Sequence, residues 1–224
     1  MARKIIVSQT DSAAVVLSQE PADDEAQLQN LLKENPELFS MEEFGLTGPL
    51  MVVGEETTLP SGSVDLIGIT REGAIVIIEF KTGPQNPDFR RAVAQLLDYG
   101  SDVWRMTYDE FENAVAVRYF LSDRCRDARS RGLQSIEEAA RNFWDDLTDG
   151  EWETLKDHLT HRLAEGSFEY VLGAQAFTPS ALRTVEYLNT VSSGPRIYAV
   201  ELVRLLAIGL TDEQIDSLRN ALLE

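Results

Sequence analysis

A lone cysteine, Cys125, leaves this chain without an intrachain disulfide and without a cysteine-based metal site. Histidine is almost as scarce. His158 and His161 fall within one helical turn beside Asp157, but no third ligand motif and no glutamate base accompanies them, so they read as surface residues. No apolar run approaches the roughly 20 residues of a membrane span. The opening Met1-Ala2-Arg3-Lys4-Ile5-Ile6-Val7 is too brief for a signal peptide, so a cytoplasmic protein with no membrane partner is expected. Low-complexity linkers and internal repeats are both missing. Positive charge is short as well: 20 Lys and Arg against 38 Asp and Glu give a formal net charge of −18. That balance argues against a protein that coats nucleic acid, because such proteins draw most of their affinity from neutralised phosphates.

What is present is an ordinary globular composition: 224 residues with 43% hydrophobic content suffice for one sizeable core, or for one core with a subdomain inserted. The chain is organised around Ser63 to Lys81, which reads as a β-hairpin. Two β-branched-rich runs flank Arg71-Glu72-Gly73, and a three-residue hairpin loop takes a glycine in its last, left-handed position. If Thr70 and Ala74 close that loop, Asp65 lies opposite Glu79 and Ser63 opposite Lys81. Glu79 and Lys81 then share a sheet face, and Asp65 joins it from across the ladder. Like charges opposed at about 5 Å between Cβ atoms are destabilising, the more so in strands apolar enough to be buried on both faces. A divalent cation would offset the two carboxylates, since Mg²⁺ takes oxygen ligands, usually one or two carboxylates with water and phosphate.

Asp65, followed by Glu79-Phe80-Lys81 at the end of the next strand, resembles the PD-(D/E)XK nuclease superfamily. The resemblance implies a restriction-endonuclease-like α/β fold: a mixed central sheet flanked by helices, with an αβββαβ core and here a helical insertion. It also implies a metal-dependent nuclease acting on phosphodiester bonds of nucleic acid, DNA in the first instance. Asp65 and Glu79, with the backbone carbonyl of Phe80, would hold Mg²⁺ or Mn²⁺, and Lys81 would act on the attacking water or on the charge developing at the phosphate. In many members an acidic residue of the first core helix lines the metal site. Glu25 has that place, and the segment Glu25 to Phe39, with Asn35-Pro36-Glu37-Leu38-Phe39, looks like the start of NucS-like members. Gln95 and Tyr99, one helical turn apart after the ExK strand, resemble the pair that borders the active site in the RecB-type branch. Arg90 and Arg91 open the same helix and are candidate phosphate contacts.

Elsewhere the pattern gives the following expectations. Residues 1–22 form an N-terminal arm or an edge hairpin, and residues 23–107 the first part of the nuclease core. Its helix begins at Asp23 and closes at Asn35-Pro36, and its first strand runs through Leu50-Met51-Val52-Val53. A long helix with Phe89, Val93, Leu96, Leu97, Gly100, Val103 and Trp104 at helical spacing packs on the sheet, entered through a loop capped by Asn86 or Asp88. Residues 108–166 form the insertion, where Val115 to Leu121 reads equally as helix or strand. Two amphipathic helices follow, at Ser135 to Leu147 and Glu151 to Ala164, packed against one edge of the core. Residues 167–210 resume the core as a strand, a helix and a last strand at Ile197 to Leu206, and 211–224 form a C-terminal helix capped by Thr211 and Gln214. The basic cluster Arg124, Arg126, Arg129 and Arg131 reads either as a phosphate contact or as a solvated loop neutralised by neighbouring acids. Two further functions fit the same residues. One is a binding protein on a nuclease-like scaffold, with Lys81 neutralising the acids as a structural ion pair. The other is a catalytic core that acts as a homodimer or with a separate targeting subunit.

Overall fold

The computed structural model of the chain describes residues 4–7, 15–19, 41–81, 89–192, 196–202 and 205–207. A five-stranded sheet of order β3-β4-β5-β6-β7 carries the fold. Strands β3 (Met51–Leu59), β4 (Gly62–Ile69) and β5 (Ile75–Lys81) form an antiparallel meander. Strands β6 (Glu169–Ala174) and β7 (Arg196–Glu201) continue the sheet in parallel, β6 beside β5 and β7 beside β6. The result is a mixed α/β sheet, and its parallel pairs need crossovers.

The hairpin at its centre has the expected loop. Gly73 has φ +74°, and its amide donates to the Thr70 carbonyl at 2.9 Å while Thr70 N–H donates to the Ala74 carbonyl at 3.0 Å. A Cβ at Gly73 would lie 2.7 Å from the Leu155 carbonyl, so only glycine permits both this backbone and the helix packed on it. Pairing then runs from Ile69 opposite Ile75 to Leu66 opposite Ile78.

Helix α1 (Phe89–Val103) crosses from β5 and presses Ala92, Val93, Leu96, Tyr99 and Val103 onto the sheet. Gly100 is required at its closest approach, because a Cβ there would stand 1.9 Å from the Tyr170 hydroxyl of β6. The helical insertion follows. Helix α2 (Tyr108–Phe111) runs into a π-helical stretch, Glu112–Val117, and ends as α3 (Arg118–Phe120), so the apolar run from Val115 is helical. Thr107 and Glu110 close a capping box at its start, which fixes helix from the first residue. Helices α4 (Ile136–Phe143) and α5 (Asp149–Glu165) complete the insertion, and α6 (Pro179–Val191) supplies the crossover from β6 to β7. The insertion packs with α1 on one face of the sheet, where Val115, Ala116, Phe120, Ile136, Leu155 and Leu159 meet Val53, Ile67, Ile69, Ile75 and Ile77. Residues 41–50 cover part of the other face through Met41, Leu46 and Leu50, against Leu66, Val76, Ile78, Phe80 and Val171.

The last strand differs from expectation. The sequence pattern over Ile197 to Leu206 is continuous, yet β7 ends at Glu201, and Leu205–Ala207 form a separate strand, β8, in a second sheet of order β1-β2-β8. Alternation of apolar residues does not mark where a chain changes sheets. Strands β1 (Lys4–Val7) and β2 (Val15–Gln19) pair antiparallel in that sheet, so the first twenty residues contain a hairpin. The helix expected from Asp23, the loop with Asn86 and Asp88, and the terminal helix from Thr211 lie outside the described residues.

Candidate active site

The antiparallel β4 and the parallel β5 and β6 bring three chemically capable side chains to one end of the sheet. Glu79 and Lys81 alternate with Phe80 at the end of β5, so both project to the face covered by α1 while Phe80 projects to the other. The Phe80 ring is fully buried, and a Cβ on the facing Gly173 of β6 would come within 2.7 Å of it. That contact pins the strand at the point where its charges emerge. Glu79 is 3% exposed. The Lys81 ammonium donates to Glu79 Oε1 at 2.5 Å, with its own side chain only 22% exposed.

Asp65 enters differently from the expectation. The β4–β5 ladder runs only as far as Leu66 opposite Ile78, one pair short of Asp65 and Glu79. The Asp65 carboxylate bonds to the backbone of β5: its Oδ2 accepts the Phe80 backbone N–H at 2.8 Å. A side-chain oxygen thereby satisfies a backbone amide near the strand end. The two carboxylates are therefore tied to adjacent residues of one strand, Asp65 through the amide of Phe80 and Glu79 by covalent neighbourhood.

Helix α1 closes the site from above. The Tyr99 hydroxyl donates to the Ser63 carbonyl at 2.9 Å, two residues before Asp65, and the Tyr99 ring packs on Gly62. Burial, then the negative charges of Glu79 and Asp65, push the Tyr99 phenol up to about 12, while a hydrogen bond with Gln95 works the other way. Those couplings place Tyr99, Gln95, Glu79 and Asp65 in one electrostatic neighbourhood, and they keep the phenol a proton donor. Arg90 and Arg91 are exposed on the first turn of α1. Glu25 lies outside the described residues.

One contact here was not anticipated. Asp102 Oδ2 accepts the Ser61 N–H at 2.8 Å, so the β3–β4 turn is held to α1 at two points, Ser61 and Ser63. Its signal was legible: Asp102 follows Tyr99 by three residues and shares its helical face. The basic cluster of the insertion is largely matched by acids. Arg124 pairs with Glu56 at 2.9 Å and Arg129 with Asp127 at 2.8 Å, while the Arg129 guanidinium stacks on Phe143. His158 is exposed and its Nδ1 lies 2.9 Å from the Glu72 carbonyl, which docks α5 on the hairpin turn. No group of three or more His, Cys, Asp or Glu side chains with metal-binding geometry occurs among the described residues.

No protein-family model matches this chain, and no curated protein matches it. The chain has a distant likeness to two solved structures. One is an EndoMS–dsDNA complex, at 15% identity and a TM-score of 0.36 over 89% of this chain. The other is a repair endonuclease from Pyrococcus abyssi, at 13% identity and a TM-score of 0.36 over 88% of this chain. The chain covers 65% of the length of each. For a hard divalent cation the donor set fits: two carboxylates held on neighbouring strands beside a strand-end backbone carbonyl supply oxygen only, the kind of partial shell that Mg²⁺ completes with water.

Among the described residues no helix is long and apolar enough to cross a membrane.

Proposed function

We propose that this chain is a metal-dependent nuclease that hydrolyses phosphodiester bonds of nucleic acid, with DNA as the substrate class. The observation that carries the reading is the meeting of Asp65, Glu79 and Lys81 at one sheet end, under Tyr99 and Gln95. Asp65 and Glu79, with the Phe80 carbonyl, would hold Mg²⁺ or Mn²⁺, and Glu25 is a further candidate ligand. When bound, such an ion polarises a phosphate oxygen and lowers the pKa of a water. The protein's own contribution is positional. Strand β5 sets Glu79 and Lys81 one strand period apart on one face, and the Phe80 amide fixes the direction of Asp65. Lys81 presents its Nζ protons to the attacking water or to the negative charge that develops on the phosphate, so it acts more in the transition state than in binding. Gln95 and the neutral Tyr99 hydroxyl supply polar groups at the border, and Arg90 and Arg91 meet the phosphates outside it.

Mn²⁺ titration calorimetry tests this directly. Wild type should bind with measurable heat, and Asp65→Asn and Glu79→Gln should each weaken binding by tenfold or more, because each removes charge from an oxygen donor to a hard cation. Equal affinity in all three proteins would refute a metal centre at these residues.

The 2.5 Å pair between Lys81 and Glu79 also supports a second reading, a nucleic-acid-binding or interaction protein in which the lysine is a structural counter-ion. It requires wild type to give no Mn²⁺ heat. A protein that binds Mn²⁺ yet leaves single-stranded, double-stranded and branched DNA and RNA uncut would instead favour a catalytic core that needs a separate targeting subunit.

A further inference from the structure

On the nuclease reading above, we propose that the pocket between the outer strand β3 and the helical run α2–α3 binds a backbone phosphate of the nucleic-acid substrate, with Arg118 and Arg124 as its cations. If the nuclease reading fails, the pocket can still be judged by itself.

The pocket's place comes from the sheet register. Glu55 pairs with Leu66 and Thr57 with Val64, so Glu56 on the pocket wall falls beside Asp65, one strand spacing of about 4.8 Å away. The pocket also opens in the same layer as α1. A Cβ built on Gly54 would meet Thr57 Oγ1, Val115 and Ile67, and the last two belong to the core cluster that includes Tyr99. A strand bound across the candidate acids and along this end of the sheet therefore passes the pocket mouth.

Its chemistry suits a phosphate. Arg118 and Arg124 bring two guanidinium groups, and Thr57 and Thr58 bring hydroxyl groups, while the Ser122 hydroxyl in the same wall donates to the Tyr119 carbonyl at 2.7 Å. Planar guanidinium forks match phosphate oxygens bidentately. The acids in the wall are the apparent objection. Glu56 holds Arg124 at 2.9 Å, but both side chains are about half exposed, at 44% and 54%, and exposed ion pairs of this kind are weak. Glu56 also sits at φ +42°, a left-handed backbone that a non-glycine residue adopts only when its surroundings impose it. The carboxylate thus acts as an internal stand-in for the phosphate, occupying Arg124 until a stronger acceptor displaces it. On a chain of net charge −18 this restrains promiscuous anion binding while leaving a place where a phosphate gains two guanidinium groups.

The test is the affinity of a short fluorescent DNA, as duplex and as single strand, for full-length protein in chelator at low salt. Arg118→Gln and Arg124→Gln should each weaken binding of at least one form by about three- to tenfold, and each should flatten the slope of log K against log salt by about 1. Glu56→Gln, which releases Arg124 while adding no contact, should tighten binding about threefold. Arg183→Gln, at an exposed position on α6, should change nothing. Melting temperatures confirm that each variant is folded. Unchanged affinity and slope in the double arginine variant, weaker binding by Glu56→Gln, an equal loss in Arg183→Gln, or no binding by wild type and Glu56→Gln alike would each overturn the proposal. None of these outcomes depends on metal, whereas the nuclease reading falls on the Mn²⁺ titration of Asp65→Asn.

Discussion

Glu79 and Lys81 decide between the two readings because a buried carboxylate cannot remain charged without a partner. Only 4% of the Glu79 side chain is exposed, and breaking a buried pair by removing one member leaves an uncompensated charge. Lys81→Met keeps the apolar stem and removes the ammonium. In chelator it should lower stability, by about 1–3 kcal/mol once the partial exposure of Lys81 is allowed for. Mn²⁺ should then restore that loss, because a cation replaces the counter-ion, and should raise the melting temperature of the variant more than that of wild type. With Mn²⁺ bound, cleavage of a DNA panel should still fall by orders of magnitude. A variant that Mn²⁺ cannot rescue would point to the structural pair, and one that cuts like wild type would remove Lys81 from the chemistry. These residues were legible in the sequence because a single feature, the glycine at the third loop position, fixes the register of both strands. The partner of Asp65 was not legible. Register predicts opposed side chains, but it does not say where a ladder ends, and beyond Leu66 the Asp65 carboxylate accepts the Phe80 amide.

At the scale of elements, the hairpin, α1, the two insertion helices α4 and α5, and the β6–α6–β7 crossover follow from periodicity and caps written in the sequence. Thr148 and Glu151 form a capping box at α5, and Gly166 ends it in the left-handed region at φ +70°. The segment from Val115 to Leu121 was ambiguous because a short apolar run fits helix and strand equally, and the capping box at Thr107 upstream is what commits it to helix. The α1 contact with the sheet is a sharper case. Gly100 reads as a helix-weakening residue, since alanine there should gain about 1 kcal/mol of helical propensity. Packing reverses the sign. A Cβ 1.9 Å from the Tyr170 hydroxyl forces the helix away from β6, so Gly100→Ala should cost about 1–3 kcal/mol net in a denaturant melt. Removing the hydroxyl with Tyr170→Phe in the same chain should return part of that loss, a coupling that the two single variants would not show by addition. Stabilisation by Gly100→Ala alone would mean that α1 sits farther from the sheet. Because α1 carries Gln95 and Tyr99, the same displacement should also loosen the hydrogen bond from Tyr99 to Ser63.

Across the whole molecule, net charge sets two effects against each other. A charge of −18 repels itself in the compact state and repels nucleic acid at long range, and both repulsions are screened by salt, with a Debye length near 30 Å at 0.01 M falling to about 8 Å at 0.15 M. Adding salt should therefore stabilise the fold. A rise of several degrees in melting temperature between those two ionic strengths is expected, because the unfolded chain spreads the same charges farther apart. Direct phosphate contacts respond in the opposite direction, since each neutralised phosphate makes binding weaker as salt rises. If the chain meets nucleic acid through Arg90, Arg91 and the pocket arginines, DNA affinity should fall over the same salt range in which the melting temperature climbs. Global charge alone would give the reverse slope, with DNA binding improving as repulsion is screened. Measured together on wild type, the two curves separate a localised basic contact from an acidic surface: opposite slopes support the contact, and parallel rising slopes exclude it.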